Sequence, residues 1–165
     1  MDTLPIMAPA LPEIFLAIAA MAMMMVGVFT KEERSLSIVS GLAVAVLIAT
    51  AALVLWTGGE YQLAFGDLFV VDRFALFMKL LVLIGSVLAV IMAEGYIRRE
   101  GMARFEYPVL ICLATLGMLM MVSANDLIAL YIGLELQSLA LYVVASLQRD
   151  RLRFRVRMMK RTPPG

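Results

Sequence analysis

The sequence predicts an all-α, polytopic membrane protein with about five transmembrane helices. Of its 165 residues, 63% are hydrophobic, and the mean hydropathy of +0.95 is well above that of soluble domains. Charged residues make up only 16% of the chain and lie mainly between long apolar runs. About 20 residues of helix cross the ~30 Å hydrocarbon core of a bilayer, which is the length of these runs.

The apolar runs predict the following transmembrane helices: residues 9–29, 36–56, 73–93, 107–122 and 126–147. Together they form a membrane domain over residues 1–150, and residues 151–165 are predicted to be a basic, disordered tail. In the loop between the second and third helices, the short segments YQLAF and LFVV are consistent with a β-hairpin.

The distribution of basic residues predicts the orientation of the chain. Five crossings place the two ends on opposite sides of the membrane, and one set of connections carries almost all the positive charge. Because cytoplasmic segments are enriched in Lys and Arg, the N-terminus is predicted to be outside and the C-terminus inside. The basic residues of the inside set are Lys31, Arg34, Arg98, Arg99, Arg104, Arg149, Arg151, Arg153, Arg155, Arg157, Lys160 and Arg161.

Glu135 is the main candidate functional residue. It lies nine residues after Asp126 in the last apolar run, about 13 Å below the start of the helix and so near the middle of the bilayer. An ionisable group costs about 2.5–3.5 kcal/mol at that depth, and Glu is too short to reach the interface. We expect Glu135 to face other protein or an internal aqueous cavity and to transfer protons, the alternative being a hydrogen bond that joins two helices.

Several polar side chains accompany Glu135 on its helix. Positions three, four and seven residues apart share a helical face, which places Tyr131, Ser138 and Tyr142 along one stripe with Glu135. Gln137 lies roughly opposite and could bond to another helix. These four residues are predicted to belong to a proton path or to pair helices.

Two further charged residues lie inside predicted helices. Lys79 is six residues, or about 9 Å, inside the third helix, where it either pairs with a carboxylate in the interior or extends back to the nearer surface. Glu13 lies in the first turn of the first helix, and a negative charge there complements the helix dipole. We therefore favour a helix-start role for Glu13 over a role in a proton path.

No metal or cofactor site is predicted on this chain. The chain has no His, and its one Cys, Cys112, lies inside an apolar run, where a lone thiol forms neither an intrachain disulfide nor a metal cage. There is no Gly-rich phosphate loop and no CxxC pair. A net charge of +1 gives no reason to expect a nucleic-acid partner.

Four segments resemble a known family. They are SANDLIALYIGLELQSLALYVVASLQRD (123–150), LPEI (11–14), FALFMKLLVLIGS (74–86) and GYIRREGMARFEYPVLICLATLGMLMMVSAND (95–126). Together they resemble the subunit N family of the bacterial proton-pumping NADH:quinone oxidoreductase, respiratory complex I, which belongs to the antiporter-like membrane subunits. The resemblance covers roughly residues 11–150, and the LELQSL core is its most specific part.

The resemblance implies a function and a role for Glu135. In that family a glutamate on the fifth helix is a key element of the proton path and is thought to act with a lysine on a later, broken helix; Glu135 is the matching position. The resemblance implies a non-redox membrane subunit that takes part in proton translocation coupled to quinone reduction in the bacterial inner membrane. NADH, FMN, iron–sulfur clusters and quinone would be bound by other subunits, and the other membrane subunits of complex I would be its partners.

Three alternative functions remain at this point. The chain could be a subunit of a multisubunit cation/proton antiporter without redox coupling, a small self-associating cation transporter, or a structural membrane scaffold. The resemblance also stops near residue 150, where relatives continue with further hydrophobic helices and this chain continues as RFRVRMMKRTPPG. A truncated or frame-shifted product is favoured over a flexible basic tail on lipid headgroups, and the isolated chain is expected to be inactive.

Overall fold

Five helices make up most of the computed structural model, which describes residues 10–29, 32–57, 62–64, 69–99 and 106–161. Each contains a stretch long and apolar enough to cross a membrane, which confirms the predicted all-α, multi-pass class within the described residues. The inside–outside orientation stays a prediction. The helices are α1 (Leu11–Phe29), α2 (Glu32–Thr57), α3 (Arg73–Arg99), α4 (Glu106–Ser123) and α5 (Leu127–Arg161).

The helices α2, α3 and α5 are longer than the apolar runs that predicted them. The spans of α2 and α3 that are apolar enough for the bilayer core are Leu36–Thr57 and Arg73–Gly95, close to the predicted 36–56 and 73–93. Hydropathy therefore located the spans, whereas the helices also include charged residues outside those spans.

The prediction of a disordered tail over residues 151–165 is wrong for residues 151–161. These residues continue α5 to Arg161 in one 35-residue helix. The physical reason is that no Gly or Pro interrupts the chain between Gly133 and Pro163, and Leu, Met and Arg are good helix formers. Residues 162–165 lie outside the described part of the chain.

A short antiparallel β-hairpin precedes α3. Its strands are β1 (Gln62–Ala64) and β2 (Phe69–Val71), with Gln62 opposite Val71 and Ala64 opposite Phe69, so the hairpin suggested by the sequence is present. Asp72 then begins α3: its carboxylate accepts a hydrogen bond from Ala75 N at 2.6 Å, and its carbonyl accepts one from Leu76 N at 2.9 Å. This is the pattern of an N-cap residue.

The first four helices form a bundle, and α5 packs on its outside. In the bundle α1 contacts α2 and α4, and α3 contacts the same two helices, so α1 and α3 are diagonal to each other. Apolar residues three, four or seven positions apart on each helix fill the interior. This core contains Leu16, Ala20, Met23, Val39, Ala43, Leu47, Val54, Leu83, Val90, Val109, Cys112, Leu116 and Leu119.

Candidate functional site

The start of α5 sets the depth of Glu135. Leu130 N donates to the carbonyl of Asp126 at 3.0 Å, and Leu127 N donates to Asp126 Oδ1 at 2.8 Å, so Asp126 occupies the cap position of α5. Glu135 follows Leu127 by eight residues, which places it about 12 Å along the helix. This is close to the middle of the Leu127–Ser146 span, as predicted.

A close contact between two glycines fixes how α5 is rotated. A Cβ atom on Gly117 of α4 would lie 2.7 Å from Gly133 O and 2.8 Å from Gln137 N of α5. A Cβ atom on Gly133 would lie 2.9 Å from Gly117 O. The two backbones can approach this closely only because both positions lack a side chain. Gly133, Gln137 and the buried Ala140 thus lie on the side of α5 that faces α4.

The predicted polar stripe lies on a different side of α5, away from the bundle. Tyr131 is 64% exposed and Tyr142 is 70% exposed, Glu135 is exposed as well, and Ser138 is half-buried. We call Tyr131, Glu135, Ser138 and Tyr142 the α5 stripe. The structure thus brings the predicted residues onto one face, and Gln137 onto another, where its backbone contacts α4.

The α5 stripe presents a carboxylate and hydroxyl groups on a helix that the other described residues scarcely cover. Only 11% of the α5 span is buried, compared with 56% of the α4 span. A glutamate at this depth is stable only beside another polar group or internal water. The arrangement can accept, hold and pass on a proton, provided that a further element lies against this face.

Lys79 does not belong to this stripe. Its Nζ lies 2.6 Å from Glu13 Oε1, and the two residues are 2% and 6% exposed. Of the two alternatives open from the sequence, the structure supports the buried partner of a carboxylate. Glu13 does lie in the first turn of α1, but its burial and its ion pair go beyond a charge at a helix start.

The sequence contains a signal for this ion pair that the depth of each charge in its own span does not reveal. Glu13 is three residues before Leu16 in the buried row of α1, which continues through Ala20 and Met23. Lys79 similarly belongs to the row of α3 that includes Leu83. Each charge therefore occupies a core position in the helical pattern of its own segment, which indicates a partner in the interior.

Comparisons with known proteins identify the relatives of the chain. No family model matches it. It is 57% identical over 145 residues to subunit N of NADH-quinone oxidoreductase from Paramagnetospirillum magneticum, a match that covers 88% of this chain and 30% of the relative. It is 54% identical over 144 residues to subunit N 1 from Rhizobium meliloti, covering 87% of this chain and 30% of the relative.

A solved structure shows the same fold. The chain matches part of respiratory complex I from Thermus thermophilus, solved with bound Aureothin, with a TM-score of 0.68 and 28% identity. The match covers 85% of this chain and 30% of that one. The chain thus spans about a third of the length of the relatives it matches.

Proposed function

We propose, from the relationship of this chain to part of subunit N of NADH-quinone oxidoreductase, that it takes part in proton translocation coupled to quinone reduction. In this proposal it is a non-redox membrane segment of a translocase. NADH, FMN, iron–sulfur clusters and quinone are bound elsewhere in the complex, the other membrane subunits are its partners, and its location is the bacterial inner membrane.

The observation that carries the proposal is the position of Glu135. It lies near the middle of an apolar span and on a face that the described residues leave uncovered. A carboxylate kept there against a cost of about 2.5–3.5 kcal/mol is suited to bind a proton and release it within the membrane. In α5 the Gly117–Gly133 contact turns that carboxylate outward rather than into the bundle.

The neighbouring hydroxyl groups would orient the proton that Glu135 carries. Tyr131 is one helical turn before Glu135, and Ser138 is three residues after it, so each hydroxyl group can donate to the carboxylate or to a water beside it. Tyr142 extends the α5 stripe two turns beyond Glu135. A cationic side chain on the covering element would compensate the charge of the ionised form, and proton uptake by Glu135 would weaken that attraction.

The test is the exchange Glu135→Gln in the assembled complex that contains this chain. We expect quinone reduction to lose its coupling to proton translocation, because glutamine keeps the size of the side chain but binds no transferable proton. Glu135→Asp should restore part of the coupling. Asp126→Asn is the matched control: it makes the same acid-to-amide change on the same helix, and Asn is an equally good cap.

Unchanged proton translocation in Glu135→Gln would exclude Glu135 as the proton carrier. If both Glu135→Gln and Asp126→Asn abolished assembly alike, the helix would be acting as a scaffold. Copurification separates the antiporter alternative, since a cation/proton antiporter subunit would not be recovered with flavin and iron–sulfur subunits.

A further inference from the structure

The ion pair of Glu13 and Lys79 crosses the centre of the four-helix bundle. Glu13 belongs to α1 and Lys79 to α3, which are diagonal helices, so their long side chains meet in the interior that α2 and α4 enclose. Lys79 is among the largest fully buried side chains of the described residues. This pair is separate from the α5 stripe, because α5 packs mainly against the outside of α4.

The carboxylate of Glu13 is only partly satisfied by Lys79. Oε1 makes the 2.6 Å contact with Nζ, and beyond this ion pair neither oxygen of Glu13 has a hydrogen-bond partner among the described residues. Buried carboxylate oxygens require donors, and a site with several polar atoms is where an internal water binds. Oε2 offers an acceptor beside the charged ammonium group of Lys79, within one polar site.

The pair also lies near one end of the bundle. Glu13 is two residues, or about 3 Å, from the start of α1. Lys79 is about 9 Å from the start of α3, and side chains on a helix point back toward its N-terminus. Since α1 and α3 begin on the same side of the membrane, the site is within a few water molecules of that aqueous phase.

We propose that Glu13 and Lys79 form a hydrated, proton-exchanging ion pair that binds a water molecule at Glu13 Oε2. Within the pair, a proton can move from Lys79 Nζ to Glu13 Oε1, which leaves a neutral amine and a neutral acid; the reverse transfer restores the ions. The net charge is zero in both forms, so neither exposes an uncompensated charge to the interior. The water exchanges hydrogens between the pair and the aqueous phase on the side where α1 and α3 begin.

Hydroxyl groups deeper in the bundle serve as a comparison, because they are not expected to bind a water molecule. Ser86 is seven residues after Lys79 on the same row of α3, and its hydroxyl group accepts a hydrogen bond from Thr115 Oγ1 at 2.7 Å. Thr50 is fully buried and bonds to the carbonyl of Val46 at 2.8 Å. These hydroxyl groups already have partners within the protein and give no reason to expect a water.

Solid-state NMR of the chain in lipid bilayers tests this proposal. The sample would carry ¹⁵N in its lysines, which are Lys31, Lys79 and Lys160, and ¹³C in the glutamate carboxyl groups and the threonines. Polarisation is transferred from water protons to the protein. We expect transfer to Lys79 Nζ and to the Glu13 carboxyl carbon, and none to Thr50.

The variant Glu13→Leu/Lys79→Leu identifies which signals belong to Glu13 and Lys79, and it is also the control. It should lose both signals while the Thr50 and Thr115 signals stay unchanged. If wild-type chain shows no water transfer to Glu13 and Lys79, the pair is dry and the proposal is wrong, whether or not the variant folds. Water contact at this end of the bundle that persists in the double variant would also overturn it, because the pair would not be holding the water. Neither outcome depends on the role of Glu135.

Discussion

The chain holds charged groups in its membrane spans in two different ways. Inside the α1–α4 bundle, Glu13 and Lys79 neutralise each other at 2.6 Å, so the charge is compensated within the described residues. On α5, Glu135 lies on an exposed face, and no described residue covers it. In the first arrangement the two charges balance within the folded bundle, whereas the second becomes stable in lipid only when something else packs against α5.

These two arrangements separate a pair of charges that affects folding from a carboxylate that is available for function. Removing one partner of a buried ion pair leaves the other uncompensated, so single substitutions in the interior pair should destabilise the bundle strongly. A carboxylate on an uncovered face contributes little to folding. Stability measurements on variants in a membrane-mimicking environment can therefore separate the two regions.

The largest loss in the free energy of unfolding is expected for Lys79→Met. Methionine keeps much of the length of the side chain but leaves the carboxylate of Glu13 buried without its cation, which should cost about 3–5 kcal/mol in the free energy of unfolding. The double variant Glu13→Gln/Lys79→Met should recover most of this loss, because no unpaired charge remains. Denaturant titration of both variants in detergent micelles measures the difference, and equal losses in the two would show that the charges are not coupled.

A smaller loss in the free energy of unfolding is expected when a methyl group is added at the Gly117–Gly133 contact that orients α5. Gly117→Ala would place a methyl group 2.7 Å from Gly133 O, and forcing the backbones apart should cost about 1–3 kcal/mol. Gly85→Ala is the matched control on α3, since nothing lies within 4 Å of its added methyl group. It should be neutral or stabilise by up to about 1 kcal/mol, because Ala is the better helix former. If the two variants behave alike, the close approach of α4 and α5 does not exist in the membrane.

The hydrogen bond between Thr115 of α4 and Ser86 of α3 should contribute less to stability than the glycine contact. Thr115→Val removes the donor to Ser86 while keeping the shape of the side chain, with an expected loss of about 1 kcal/mol. Thr50→Val is the control, because its hydroxyl group bonds only within its own helix and should matter by less than about 0.5 kcal/mol. Thermal unfolding of both variants distinguishes a bond between helices from a bond within one.

The sequence was sufficient to predict the spans and the position of Glu135 along its helix. Apolar runs report the length of a span directly, and a carboxylate in such a run is conspicuous. The continuation of α5 to Arg161 was missed because its basic residues end the apolar signal without ending the helix. A span is defined by hydropathy, but a helix ends where its backbone is interrupted.

The contacts between helices could not be predicted in the same way. The pairing of Glu13 with Lys79 joins residues 66 positions apart, and it depends on which helices are diagonal in the bundle. The rotation of α5 depends on Gly117 and Gly133 meeting across two helices. Helical periodicity assigns a residue to a face of its own helix, but it does not say which neighbour that face meets.

The smallest effect on folding is expected for Glu135→Gln, and this makes it the sharpest comparison with the interior pair. Its side chain lies outside the packed bundle, so the free energy of unfolding of this chain should change by less than about 0.5 kcal/mol. Glu13→Gln makes the same chemical change, yet it leaves the ammonium group of Lys79 buried without its anion and should destabilise by several times that amount. Denaturant titration of the two variants side by side gives the ratio of their losses in the free energy of unfolding. A large loss in Glu135→Gln would mean that Glu135 is already bound within this chain, and the separation between a structural charge and a functional one would not hold.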